Sequence, residues 1–155
     1  KSHYMMSPVY SLDQEETNKA IEKLQIFMNN FPKTKYIDEC NQLINELQNK
    51  IEKKEFEVAK QYYTIYDYRA AIKSLDNFIV EFVGSKFREE ALYYKFLASY
   101  EIAINSIESK KIQRLTDLKQ LHNNIVRYYP ETLFEEDLSK KMDVVEKEIN
   151  IFTNL

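Results

Sequence analysis

Residues 56–91 read FEVAKQYYTIYDYRAAIKSLDNFIVEFVGSKFREEA. Val58, Tyr62 and Tyr66 recur at helical spacing, and after Asp67 a second stripe follows at Ala71, Leu75, Phe78, Ile79 and Phe82. Apolar residues three and four apart lie on one face of a 3.6-residue helix, so the stretch predicts two amphipathic helices. Asp67 can cap the second of them, and Gly84 lies where a left-handed residue would end it. Ser85 then opens another helix that carries Ala91, Leu92 and Phe96. The unit is a helical hairpin.

Working outward, the same spacing predicts helices over about 12–31, 35–66, 68–82, 86–105, 111–129 and 133–152. Ser11 with Gln14 reads as a capping box for the first, and Thr132 with Glu135 as one for the last. Pro32 and Pro130 stop the helices before them, and polar residues 105–111 interrupt the chain between the fourth and fifth. The second helix is unusually long because neither Gly nor Pro occurs between Lys35 and Val83. One repeat domain over 1–155 is expected.

Composition excludes most alternatives. The 155 residues hold 1 Gly and 3 Pro, where an average domain of that length carries about 11 and 8. Sheets, dinucleotide folds and phosphate loops need far more punctuation. With 22 basic and 25 acidic residues and no clustered positive face, no nucleic-acid partner is expected. No apolar run is long enough to cross a bilayer, residues Lys1 to Met6 lack a signal peptide's hydrophobic stretch, and Cys40 has no second cysteine to pair with.

The hairpin recurs. A shift of 51 places Ala20, Leu24, Phe27, Phe31, Thr34, Tyr36 and Glu39 on Ala71, Leu75, Phe78, Phe82, Ser85, Phe87 and Glu90. A further 47 reaches Ile125, Tyr129, Pro130, Thr132, Phe134 and Asp137, while Leu118 and His122 fit poorly at the front. Each hairpin leaves an apolar face for the next to cover, so the expected fold is all-α, with tetratricopeptide-like hairpins stacked in a right-handed solenoid. Against a 34-residue repeat, shifts of 51 and 47 lengthen the first helices by roughly 26 and 20 Å.

The middle repeat resembles a tetratricopeptide repeat. Val58, Ala59 and Tyr62 stand in first-helix slots usually held by Leu, Gly and Tyr, Ala71, Leu75 and Phe78 in second-helix slots, and Val83 in place of the closing proline. The long first helices narrow the likeness further. Ala20 to Pro32, Tyr36, Phe56-Glu57-Val58-Ala59 leading into Tyr62-Tyr63, Ala70-Ala71, Phe82, Ser85 and Ala91 are similar to BamD, the outer-membrane lipoprotein family of the β-barrel assembly machinery. That likeness covers Asp13 to Ala91; from residue 106 on it is one of architecture. It implies the C-terminal part of a longer lipoprotein at the periplasmic face of the outer membrane of a Gram-negative bacterium, touching the membrane only through an N-terminal lipid that is not part of this chain. The implied partners are the periplasmic domain of the barrel-forming component and unfolded outer-membrane proteins. The implied contact surface lies around Tyr66, Arg69, Lys73 and Asp76.

Candidate sites divide between chemistry and packing. Glu15-Glu16, Glu89-Glu90 and Glu135-Glu136 could pair as acid and base, yet each opens a predicted helix, where the dipole favours negative charge. His3, Cys40 and His122 are the candidate metal ligands; they come from a tail and two repeats, so no metal, cofactor or catalytic site is expected. Lys53-Lys54 and Lys110-Lys111 read as solvated charge. The twelve tyrosines are a stronger signal, above all Tyr62, Tyr63, Tyr66 and Tyr68, then Tyr93, Tyr94 and Tyr100. Neighbours on a helix lie about 100° apart, so both members of a Tyr-Tyr pair cannot face inward, and Tyr63 or Tyr94 is expected to reach a groove as a partner anchor. The favoured function is a non-enzymatic scaffold of that assembly machinery; the alternative is a tetratricopeptide adaptor for a peptide or protein outside it.

Overall fold

A computed structural model describes residues 2–7, 9, 10 and 12–153, with the backbone alone at Ser2, His3 and Thr153. Among them are seven helices and no strand: α1 (Ser2–Met6), α2 (Glu15–Asn30), α3 (Ile37–Thr64), α4 (Tyr68–Glu81), α5 (Arg88–Ile104), α6 (Glu108–Tyr128) and α7 (Glu135–Thr153). α1 has no counterpart in the sequence reading, since five residues are too few to display a stripe. The chain divides into two compact units, one running to Glu57 and the other from Val58.

The repeat is visible as one turn built three times. Phe31, Phe82 and Tyr129 end α2, α4 and α6 by donating to the carbonyls of Phe27, Phe78 and Ile125 at 3.0, 2.9 and 2.8 Å. Their own carbonyls accept from Thr34, Ser85 and Thr132 at 3.1, 3.0 and 3.2 Å. The hydroxyls of those three residues then accept from the amides of Tyr36, Phe87 and Phe134. Finally the aromatic carbonyls receive Cys40, Ala91 and Leu138, the first-turn residues of α3, α5 and α7, at 2.9, 2.8 and 3.0 Å. Each bond in the series recurs after 51 and then 47 residues, as the sequence shifts predict.

Local details differ from expectation. Gly84 does not have a positive φ, so no left-handed residue ends α4; Phe82 (φ −112°, ψ 62°) does, and a Cβ on Gly84 would meet nothing within 4 Å. Thr132 forms no capping box, because α7 begins only at Glu135; the Thr132 hydroxyl therefore reaches the Phe134 amide at 3.3 Å, one residue short. Ser11 lies outside the described residues, and Gln14 instead donates to the carbonyls of Val9 and Leu12 and accepts from Thr17 at 2.7 Å. The expected cap at Asp67 is present, its carboxylate accepting from the Ala70 amide at 3.1 Å. Lys53 and Lys54 are not free in solvent: one stands 4.1 Å from the Tyr10 ring centre and the other donates to Leu12 at 2.8 Å. Lys111 likewise pairs with Glu148 at 2.7 Å. Long cationic side chains bury their stems while their heads find oxygen or an aromatic face.

In the second unit α4 packs on α5, α5 on α6 and α6 on α7. Ala71, Ala91, Ala98 and Ala103 are fully buried, and small side chains at such contacts let helix axes approach. Their core gathers Phe96, Leu115, Leu118, Ile125, Leu138 and Val145. His122 occupies the slot that Leu75 fills one repeat earlier, 6.1 Å from Phe96 between ring centres, and its buried Nε2 has no hydrogen-bond partner. An unsatisfied buried polar atom costs about 1–3 kcal/mol. His122→Leu is therefore expected to stabilise the chain by about 1 kcal/mol, raising the melting temperature by about 2–4 °C. A lower midpoint in thermal unfolding followed by circular dichroism would show that the imidazole is satisfied.

Candidate functional site

The tyrosines converge. Ring centres step from Tyr66 to Tyr68 (6.3 Å), Tyr68 to Tyr63 (5.6 Å), Tyr63 to Tyr94 (5.4 Å), Tyr94 to Tyr93 (5.5 Å) and Tyr93 to Phe134 (4.0 Å, planes 7° apart). This ladder takes rings from α3, the turn after it, α4, α5 and the turn before α7. The adjacent Tyr93 and Tyr94 are both half-buried because they face different neighbours: Tyr94 meets α3, while Tyr93 stacks on Phe134 and donates to Asp137 at 2.9 Å. The 100° between successive side chains is thus used to join two helices through one.

Lys60 reinforces the α3 side, lying 4.8 Å from the Tyr94 ring centre and 3.0 Å from Glu90. Burial works against its charge, but the Glu90 carboxylate prevails and holds the ammonium above its ordinary pKa. Burial first, and then nearby carboxylates, raise the Tyr63 and Tyr93 hydroxyls above the usual tyrosine value. Both hydroxyls are therefore held in the protonated form.

Its outer end is strained. Among the described residues, Tyr66 is the one non-glycine residue with positive φ, 64°. The Asp67 amide reaches back to Tyr62 and the Tyr66 amide to Tyr63, at 2.9 and 3.0 Å. This is a Schellman ending with tyrosine where glycine is preferred. The side chain is 78% exposed, beside an Ile65 that is 60% exposed. A left-handed L-residue costs roughly 1–2 kcal/mol, of which glycine's greater unfolded-state freedom would return about 0.5–1. Tyr66→Gly is accordingly expected to stabilise the fold by up to about 1 kcal/mol, read as a higher urea midpoint at unchanged slope.

The remaining sequence-predicted residues lie on α4. Arg69 and Lys73 are exposed one turn apart. Asp76, two turns on from Arg69, pairs with Lys95 of α5 at 2.6 Å. The structure thus joins Tyr63, Tyr66 and Tyr94 through Tyr68, and sets Arg69, Lys73 and Asp76 along the neighbouring face of α4. Sequence reasoning missed a hollow of about 300 Å³ between α4, α5 and α6, with Ile72, Ile102 and Leu121 inside and Lys95, Arg114 and Asp117 among its lining residues. Its residues come from three helices, and no local spacing announces it.

The acidic pairs occupy the first turns of α2, α5 and α7. Among the described residues no group of three or more His, Cys, Asp or Glu is placed to hold a metal, and no helix is long and apolar enough to cross a membrane. Cys40 belongs to the first unit and His122 to the second; the side chain of His3 lies outside the described residues.

The family model of YfiO, described as an outer membrane lipoprotein, matches residues 3–65 and 52–150. The chain belongs to the YfiO family of outer membrane lipoproteins. The match runs through α6 and most of α7, so the YfiO likeness extends well beyond Ala91, where the sequence motifs thin out. The overlap at residues 52–65 spans the last half of α3 and the residue after it, so both matched segments use that helix. No curated protein matches the chain.

Proposed function

We propose that this chain is a non-enzymatic scaffold of outer-membrane protein assembly, and that the outer end of the tyrosine ladder, with Arg69, Lys73 and Asp76 beside it, docks a periplasmic domain of the barrel-forming component. It works at the periplasmic face of the outer membrane, and unfolded outer-membrane proteins are further partners. The observation that carries the reading is Tyr66: an exposed aromatic kept on a left-handed backbone at a position that generally prefers glycine. Strain that the fold tolerates and does not need points to use of the side chain. Tyr68 meets its ring edge-on, and Tyr63 and then Tyr94 follow Tyr68 in the ladder, a backing that suits an interface anchor, while Arg69, exposed in the first turn of α4, supplies a planar cation. Family membership supports the setting.

Titrating the matching barrel protein's periplasmic domains onto the chain tests this. Tyr66→Gly is expected to weaken binding at least about tenfold, a loss of about 1.4 kcal/mol, although the same change stabilises the fold. Arg69→Ala should also weaken it. Unchanged affinity in both variants would move the interface elsewhere.

A further inference from the structure

Among the described residues of the second unit, each half-buried lysine meets a carboxylate: Lys60 on Glu90 at 3.0 Å, Lys95 on Asp76 at 2.6 Å, Lys111 on Glu148 at 2.7 Å and Lys141 on Asp137 at 3.6 Å. Half-buried Arg88 donates to the Ile79 carbonyl in the last turn of α4, where the helix dipole is negative. Arg114 differs from all of these. Also half-buried, it donates to the Ser106 hydroxyl, and among the described residues no carboxylate pairs with it. The hydroxyl gives its own proton to the Ile102 carbonyl at 2.5 Å, so the guanidinium meets a neutral acceptor.

Arg114 lines the hollow of about 300 Å³ between α4, α5 and α6. Ile72, Ile102 and Leu121 line it too, each half-buried, and Leu118 is buried there. An apolar lining thus stands beside a cation without a counter-charge. Asp117 shares the lining, but it is exposed and accepts from Gln113 at 2.8 Å. Water screens an exposed carboxylate, whereas a cation partly withdrawn from water gains most from an opposite charge.

We propose that this hollow seats a short segment of a partner polypeptide, one that places an aliphatic side chain among Ile72, Ile102 and Leu121 and a glutamate or aspartate carboxylate on Arg114. A guanidinium binds a carboxylate through two parallel N–H groups, which fixes direction as well as charge. Covering the apolar lining supplies the rest of the driving force. A polypeptide suits the site better than a free small acid, because an open hollow of about 300 Å³ stands at the lower limit of small-molecule pockets, while a longer chain also touches α4 and α6 on either side. The hollow shares no lining residue with the tyrosine ladder, and its test involves no barrel protein.

The probes are two peptides, acetyl-Leu-Glu-Leu-amide and its glutamine counterpart, titrated onto the isotope-labelled intact chain while backbone amides are followed by NMR. The glutamate peptide is expected to bind at least about fivefold more tightly, as a charge-assisted hydrogen bond should give, and to move the amides of Ile72, Ser99, Ile102 and Leu121. Arg114→Gln should remove that preference and leave the affinity of the glutamine peptide as it was. Asp117→Asn should tighten the glutamate peptide alone, by taking away a like charge; if the Arg114 variant does not fold, this one decides. Equal affinities of the two peptides overturn the proposal, as does tighter binding of the lysine counterpart. Shifts confined to other helices, or none at the highest soluble concentration, overturn it too. Hexanoate binding as tightly as the glutamate peptide assigns the hollow to free carboxylates, and shifts at these amides that grow with chain concentration in the absence of peptide assign it to a second copy. Either result overturns the partner segment.

Discussion

Phe96→Ala is expected to destabilise the chain by about 3–5 kcal/mol, the range for emptying a fully buried aromatic site. Phe96 is 0% exposed in α5 and packs with Leu115, Leu118 and Ile125 of α6 and Leu138 and Val145 of α7. Three helices therefore lose a shared filler at once. A domain of this size is stable by only about 5–15 kcal/mol, so the variant should melt roughly 6–20 °C lower at about 2–4 °C per kcal/mol. Phe96→Leu, which keeps most of the volume, should lose far less. Val80→Ala is the control: at 76% exposure on α4 it should stay within about 0.5 kcal/mol. If Phe96→Ala unfolds no more easily than Val80→Ala, the second unit is not organised around that ring.

The same residues indicate what can be read from one dimension. Ala71, Leu75 and Phe78 are buried along α4 because a stripe at spacing 3.6 has only one dry side to offer, and periodicity reports that directly. The all-α repeat follows from such stripes plus the 51- and 47-residue shifts; the family rests on the residues that resemble BamD and on the matching family model. Turn chemistry is less legible. Thr132 looks like a helix cap, but its hydroxyl, like those of Thr34 and Ser85, meets the second amide onward because the helix starts later than the pattern implies. Gly84 looks obligatory and is not. The left-handed residue is Tyr66 instead, in a stretch whose letters give no warning, since the Schellman bonds from Asp67 and Tyr66 override the residue's own preference. The ladder was half legible: the excess of tyrosine was plain, but joining Tyr66 to Phe134 needs contacts between helices. Lys53 and Lys111 were misread for the same reason, because their partners Tyr10 and Glu148 are 43 and 37 residues away.

Tyr93 is where that ladder meets α7, and its variants should separate stacking from hydrogen bonding. Its ring lies 4.0 Å from Phe134 at 7°, and its hydroxyl donates to Asp137 at 2.9 Å. Tyr93→Phe keeps the stack and removes the donor. Asp137 retains Lys141 at 3.6 Å, so the cost should be near 1 kcal/mol. Tyr93→Ala removes both, with an expected loss of about 3 kcal/mol from burial, the ring pair and the hydrogen bond together. Phe134→Ala in the same background should then cost less than in the natural chain, by the energy of the ring pair, because its partner ring is already gone. The pH dependence carries a separate signature. Burial and the Asp137 bond raise the folded-state pKa of Tyr93 above its unfolded value of about 10. A raised pKa means that the protonated hydroxyl stabilises the fold, fully below pH 10, and that this contribution is lost as pH climbs past 10 towards the folded value. The gap in stability between the natural chain and Tyr93→Phe should therefore be constant from pH 6 to 9 and narrow above pH 10. Urea midpoints measured across that range decide it: a gap that stays constant to pH 11, or opens, would mean that the hydroxyl gains nothing from Asp137 and that stacking alone fastens α5 to α7.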